Sequence, residues 1–384
     1  MGGAIDNFGG ATLTVTGSTF IKNQAISTDQ PGLFFGVGGA IENNAGFDQA
    51  HPSTATISNS TFTDNQAIGG GTGSSGNGGA IDNEGTDATM TLTNSRLIDN
   101  QSIGGAENNG LGGGILNAQG SKLIVTSSTL IGNQAIGGSG SNTLAFGGGI
   151  NNTFATLTVM GSSFFGNKAL ALSPGGIAVG GGIENGALFG PGHLDLTNST
   201  LSGNQATGGS GGGVAAGGGL DNSFFVTATI TGSQIINNQA LGGAGGPGVN
   251  GGAAVGGGIS VGSGVFFDFT GFFDASSLTI TGSTIASNTA RGGNGGSGAN
   301  GGDGLGGGIW FGLPTSPPPQ NSIDNSVITG NFALGGQAGA GGSAGLGGGL
   351  YVATNALVNL KKSLVILNFA STSNDNIYGT VTYL

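Results

Sequence analysis

Ten times along this chain an apolar residue is followed, three positions later, by asparagine. The pairs are Phe20/Asn23, Phe62/Asn65, Leu97/Asn100, Leu130/Asn133, Phe164/Asn167, Leu201/Asn204, Ile235/Asn238, Ile285/Asn288, Ile328/Asn331 and Val365/Asn368. A Gly-Gly-[Ala/Gly]-[Ile/Leu] run stands before each pair. Spacing inside the pair is constant, whereas successive pairs lie on average about 38 residues apart. A fixed unit joined by segments of free length marks a stacked repeat with tolerant loops. A length of 384 residues would otherwise suggest two or three domains. The unbroken repeat argues instead for one elongated domain over residues 1–384, with the divergent segment 371–384 as its C-terminal cap.

Within the first unit, Thr12-Leu13-Thr14-Val15-Thr16 alternates polar and apolar with period two, as a half-buried strand does. Gly17-Ser18 makes a turn, and Thr19 to Asn23 forms a second short strand closed by Gln24-Ala25. After a variable loop, Gly38 to Asn43 forms a third. Three such strands cannot bury an apolar face alone. Stacked on copies of themselves they pair across a spacing of about 4.8 Å, so ten coils make a rod roughly 45 Å long. The expected fold is therefore all-β: a single parallel β-helix (β-solenoid) of about ten coils with three short strands per coil. Its inside is filled by files such as Leu13/Val15/Phe20, Leu123/Val125/Leu130 and Leu194/Leu196/Leu201. A competing division, two half-length coils per unit, fits less well, because each unit holds three distinct strand patterns.

Asparagine at the same corner of every unit suits an amide ladder, in which each side chain bonds the next and the turn backbone. Asn7, Asn43, Asn83, Asn117, Asn152, Asn185 and Asn222 form a second such set after the glycine runs. Glycine accounts for 89 residues and proline for 9, without a Gly-X-Y period, which excludes collagen. Gly-rich loops at 242–258, 292–308 and 335–349 read either as flexible linkers or as closely packed polyproline-II-like segments. A loop crowded with Phe266, Phe267, Phe269, Phe272 and Phe273 is expected to cover the side of the rod, with an apolar patch presented to a partner as the alternative.

The two motifs together resemble the repeats of the chlamydial polymorphic outer membrane proteins. They stand here as Gly2–Ile5, Gly38–Ile41 and Gly78–Ile81, with Phe20–Asn23, Phe62–Asn65 and Phe164–Asn167. The Gly-Gly-Gly-Ile plus Thr-Leu-Thr form is also similar to bacterial right-handed β-helix repeat surface proteins. The resemblance covers nearly the whole chain and implies a right-handed parallel β-helix. For the chlamydial family it also implies an adhesin passenger.

A net charge of −11, with 7 basic residues, leaves no basic patch for nucleic acid. No stretch approaches the ~18 consecutive apolar residues of a membrane span, so no membrane insertion is expected. Cysteine is absent, which excludes disulfides and thiolate metal sites. Met1 leads straight into the repeat with no export signal, so the chain reads as a segment of something longer or as a product exported by another route.

Polysaccharide-cleaving β-helices need paired carboxylates and a base. Here no two acidic residues are adjacent, and Arg96, Arg291, His51 and His193 stand in no recognisable catalytic run. The expectation is no enzyme, no catalytic residues and no cofactor-binding site. One acidic column does stand out: Asp6, Glu42 and Asp82 occupy equivalent places in units one to three, and Glu184 and Asp221 in units six and seven. Stacked carboxylates repel unless a cation or protons intervene. Asp6, Glu42 and Asp82 are thus candidate ligands for calcium, a hard cation suited to oxygen donors. The alternative is that the carboxylates splay into solvent. Outward threonines such as Thr12/Thr14/Thr16 and Thr227/Thr229/Thr231 form a regular grid, interrupted at Lys122/Ile124 and His193/Asp195. The grid reads as ordinary exposed strand chemistry, with ice binding as its functional alternative.

The sequence therefore points to a non-enzymatic secreted or cell-surface β-solenoid, an adhesin-like or structural stalk. Its expected partners are surface glycans, or proteins of a host or neighbouring cell. The alternatives are a carbohydrate-binding or polysaccharide-cleaving β-helix, and a filament subunit that self-associates end to end.

Overall fold

A computed structural model describes residues 2–27, 36–46, 52–71, 73–186, 191–262, 274–337, 339 and 341–384, and none of these lies in a helix. The first coil holds five short strands: β1 (Ile5–Phe8), β2 (Thr12–Thr16), β3 (Thr19–Ile21), β4 (Gln24–Ile26) and β5 (Gly36–Val37). Each begins a parallel ladder whose members come from successive units. The β1 and β2 ladders have eleven strands, β3 and β4 have ten, and β5 has nine. Pairing runs from each unit to the next, as in Ile5↔Ile41↔Ile81↔Ile115, so one unit is one coil and the half-coil division is excluded. The parallel β-solenoid read from the repeat is the observed fold. The corner asparagine divides the expected second strand into β3 and β4, and a further short ladder, β5, precedes the glycine run.

The corners follow from the chain's local chemistry. Around β3 the backbone turns through the left-handed region twice per coil. The first turn uses Gly17, Asn59 and Asn94, and the second uses Lys22, Asp64 and Asp99, with φ near +50° to +60°. Glycine, asparagine and aspartate tolerate that region best. The glycine run is demanded by close stacking: a Cβ on Gly39 would collide with the carbonyl oxygen of Gly79 one coil on.

Inside, the β1, β2 and β3 files make one continuous core. Ile81, Leu92 and Leu97 in the third coil are fully buried, as are Ile183, Leu196 and Leu201 in the sixth. Truncating one such side chain to alanine should cost about 2–5 kcal/mol. Phe20 and Phe62 stack with ring centroids 4.7 Å apart.

The Gly-rich loops are packed rather than loose. Gly243 donates its N–H to the Gly213 carbonyl (2.8 Å), Gly252 to Gly243 (2.8 Å), Gly293 to Gly252 (2.9 Å), Gly302 to Gly293 (2.8 Å) and Gly336 to Gly302 (2.9 Å). Outgoing and returning legs of successive loops thus bond each other in a zigzag. A side chain at Gly243 would strike the Gly209 carbonyl, so only glycine permits this approach. The phenylalanine-crowded loop, Phe266 to Phe273, lies outside the described residues.

Candidate functional site

Both asparagine ladders form as expected. Asn23, Asn65, Asn100 and Asn133 hand Nδ2–H to Oδ1 from coil to coil at 2.8 Å, and the series continues to Asn368, which donates to Asn376 at 3.1 Å. Asn7, Asn43, Asn83 and Asn117 do the same at 2.6–2.7 Å. Their amides are spent on one another and on backbone carbonyls, which makes them structural.

A third ladder was not anticipated. Ser18, Ser60, Ser95, Ser128 and their successors lie beside the first corner. The N–H of each donates to the hydroxyl of the next at 3.1 Å. Each hydroxyl in turn donates to the carbonyl two residues back in its own coil, as Ser60 Oγ does to Ser58 at 2.8 Å. The signal was present in the sequence: serine stands five residues before every one of the ten corner asparagines.

The acidic column is real in register, since Asp6 pairs with Glu42, Glu42 with Asp82, and Glu184 with Asp221. Its environment differs from expectation. Asp6 is exposed, but Glu42 and Asp82 are 5% and 0% exposed, and Glu184 and Asp221 are 3% and 0%. For these four, splaying into solvent is excluded. In the later coils the β5 ladder packs over this column. There the register successors of Leu111, namely Phe146, Val179, Ala216 and Val255, pack in one cluster with Trp310, and Leu305 and Tyr351 pack against that cluster. Trp310 and Tyr351 are the register successors of Asp82 in the same column, through Ser260. The equivalent β5 residue of the second coil is Asn77, the register partner of Val37 and Leu111, and it directly precedes the third glycine run.

Two residues on from Asp82, on the same face of the strand, Glu84 joins the group, buried to 5% exposure. Sequence alone did not single it out, because no other unit repeats an acid there. Asn44 Nδ2 donates to Glu42 Oε1 at 3.0 Å, and Gln119 Nε2 donates to Glu84 Oε1. Both oxygens of Asp82, Oε2 of Glu84, Oε2 of Glu184 and Oδ1 of Asn77 are buried without a hydrogen-bond partner. Burial, then the neighbouring charges of Glu84 and Glu42, pushes the Asp82 carboxyl well above its ordinary range. Burial, and then Glu42, raises Glu84 to about 7. Glu184 is raised by burial and then by Asp221. Among the described residues, no three His, Cys, Asp or Glu side chains are grouped to hold a metal ion.

On the outer β2 face, His193 and Asp195 stand in the threonine columns, paired with Thr156/Thr227 and Thr158/Thr229. His193 Nδ1 lies 2.7 Å from Thr227 Oγ1, and Nε2 lies 3.1 Å from Asp195 Oδ1. The three groups sit on an open sheet face, half exposed, with no enclosing cleft. His51 lies outside the described residues. A shallow polar concavity runs along the β3–β4 corner, lined by Lys22, Gln24, Asp64, Gln66, Asp99, Gln101 and Gln134. There Gln24, Gln66 and Gln101 form an exposed amide ladder at 2.8–2.9 Å.

No family model matches this sequence, and no curated protein does. Among solved structures, the chain is similar to the periplasmic alginate epimerase AlgG, at 9% identity and a TM-score of 0.26 over 86% of this chain and 77% of that one. A mutant of the same enzyme gives 9% identity and a TM-score of 0.30 over 94% and 84%. A TibC-catalysed hyper-glycosylated fragment of TibA gives 12% and 0.14 over 97% of both chains. Likenesses this distant carry no activity across. They do correct one expectation: the chain cannot be set apart from enzymes, since an epimerase stands among its structural neighbours. The physical reason is that outward side chains of a solenoid can be exchanged without disturbing the inward files, so architecture leaves chemistry open. The described residues contain no helix long and apolar enough to cross a membrane.

Proposed function

We propose that this chain is a rigid, rod-shaped β-solenoid of the cell surface or extracellular space, an adhesin-like element or stalk that presents its side faces to surface glycans or neighbouring-cell proteins. The observation that carries this reading is the unbroken register of the ladders. Core files, two asparagine ladders and a serine ladder run from coil to coil through the described residues. Such stacking resists bending, which suits holding a binding face at a distance.

The face best furnished for recognition is the polar concavity at the β3–β4 corner. Its carboxylates, amides and single ammonium offer both acceptors and donors to sugar hydroxyls. A glycan array probed with the whole chain tests this. Binding that weakens at least tenfold in an Asp64→Ala/Gln66→Ala/Asp99→Ala variant supports the reading. An array without hits, or binding untouched by these changes, removes the concavity as the recognition face. Small-angle scattering tests the rod independently.

A further inference from the structure

Ladder register stacks the connections between the β1 and β2 ladders at one corner of the rod. In the ninth coil that connection runs from 312 to 319, between the strands Ile309–Phe311 and Gln320–Asp324. In the tenth it runs only from 353 to 356, and in the closing turn from 379 to 381. A long loop beside two short ones leaves a recess. One cavity of about 580 Å³ lies between Pro314, Thr315 and Pro318 of the ninth coil and Asn355 and Leu357 of the tenth. A second, of about 530 Å³, shares Asn355 and Leu357 and is also lined by Tyr351, Tyr378 and Thr380. The two shared residues join the cavities into one groove. It crosses three levels of the rod, on the order of 10 Å along the axis at parallel-strand spacing.

The walls of this groove are held in place. Thr315 donates its N–H to the Asp274 carbonyl at 3.2 Å and its hydroxyl to the Pro317 carbonyl at 3.1 Å. The surrounding prolines fix the backbone there. In the tenth coil the Ala356 N–H closes the connection on the Ala353 carbonyl at 3.1 Å. Tyr351 and Tyr378 stack ring on ring. The lining is also of one chemical kind. Among the described residues, no acid, lysine, arginine or histidine lines either cavity. Apolar surface from Pro314, Leu357 and the tyrosines is mixed with hydroxyls and an amide. The Asn355 amide, both phenols and the Thr380 hydroxyl make no side-chain hydrogen bond to the described residues, so they are free to serve a ligand.

A concave site with apolar walls and a few unspent polar groups is the usual form of a small-ligand site. A charged ligand would leave its charge unpaired against such walls. The hydroxyls of a neutral sugar match the amide and hydroxyl groups, and its C–H faces match proline and tyrosine rings. We propose that this corner groove binds an uncharged oligosaccharide. The proposal rests on the reading of the rod as a glycan-binding element. It adds to that reading a second place, separate from the charged β3–β4 concavity, and a ligand class, neutral sugar chains rather than uronates.

The whole chain is titrated with neutral hexasaccharides of glucose, mannose, galactose and xylose, and with hexamers of galacturonate and mannuronate. Binding is read from the emission of Trp310, the single tryptophan, because Tyr351 packs against its cluster. Calorimetry gives a readout independent of the fluorophore. The variant Asn355→Gly/Thr380→Ala removes two polar groups from exposed positions, and glycine accepts the left-handed φ of 67° at position 355. The expected result is saturable binding of a neutral hexamer, no binding of the uronates, and at least tenfold weakening in that variant. Asp64→Ala/Gln66→Ala/Asp99→Ala should leave this binding unchanged. No binding of any neutral hexamer, tighter binding of a uronate, or binding that survives Asn355→Gly/Thr380→Ala would overturn the proposal. Loss only in the Asp64→Ala/Gln66→Ala/Asp99→Ala variant would leave the concavity standing and remove the groove. If the double groove variant does not fold, Leu357→Glu decides, since it puts a charge on an exposed residue that both cavities share and should abolish binding.

Discussion

One outward column of the β1 ladder is filled by opposite chemistries at its two ends. In the second and third coils it holds Glu42 and Asp82, and in the ninth to the closing turn it holds Trp310, Tyr351 and Tyr378. Backbone and strand register are alike at both ends. At the aromatic end the column is satisfied by stacking, with the Tyr351 and Tyr378 rings 4.8 Å apart and nearly parallel. At the acidic end, burial and the neighbouring carboxyl groups push the Asp82 and Glu84 carboxyls above their ordinary range. The column is not buried along its whole length, since Asp6 is exposed and Tyr351 and Tyr378 are half-buried, but where it is buried the sequence fills it with a carboxyl at Asp82 and with a ring at Trp310.

Exchanging the chemistries should break the contrast most sharply. Trp310→Asp removes a side chain only 4% exposed and leaves a charge under the cover, so it should cost roughly 4–5 kcal/mol or more in denaturant unfolding. The reverse exchange, Asp82→Leu, copies its register partner Leu116 and should stabilise the chain by about 1–3 kcal/mol at pH 8. A destabilising Asp82→Leu would show that the acid end is not strained. Smaller again is Glu184→Gln, which should remove part of the loss of stability with rising pH. Glu184 is held above its usual range, so its contribution is full in acid and disappears as pH climbs. A slope identical to wild type would show that Glu184 contributes nothing to the pH response. Least of all, the Tyr351 phenol should ionise above the usual 10 in an ultraviolet titration, because burial, then Tyr378 and Asp303, oppose its charge. Tyr378→Leu should bring that midpoint down.

Much of the fold could be read from the chain because its constraints are strictly periodic. Inward files such as Leu92/Val125/Val159 and both asparagine ladders recur at fixed offsets from the corner, and register follows from them. The buried state of Asp82 could not be read in the same way. Alternation along β1 marks the position as outward, and nothing local in the sequence reveals that it is fully buried. Glu84 escaped notice because it occurs once. The serine ladder was equally periodic, yet serine beside a turn passes as turn chemistry until its N–H and hydroxyl are seen bonding from coil to coil.

The most direct test of the stacking itself uses the absence of cysteine. Thr91 and Ile124 are outward register partners in adjacent coils, whereas Thr91 and Thr126 are two residues out of step. Parallel strand spacing brings true partners within disulfide reach, about 4.4–6.8 Å between Cα atoms. A Thr91→Cys/Ile124→Cys chain should oxidise readily to an intramolecular disulfide, and Thr91→Cys/Thr126→Cys should not. Efficient closure of the second pair in place of the first would contradict the register on which core, ladders and acidic column all depend.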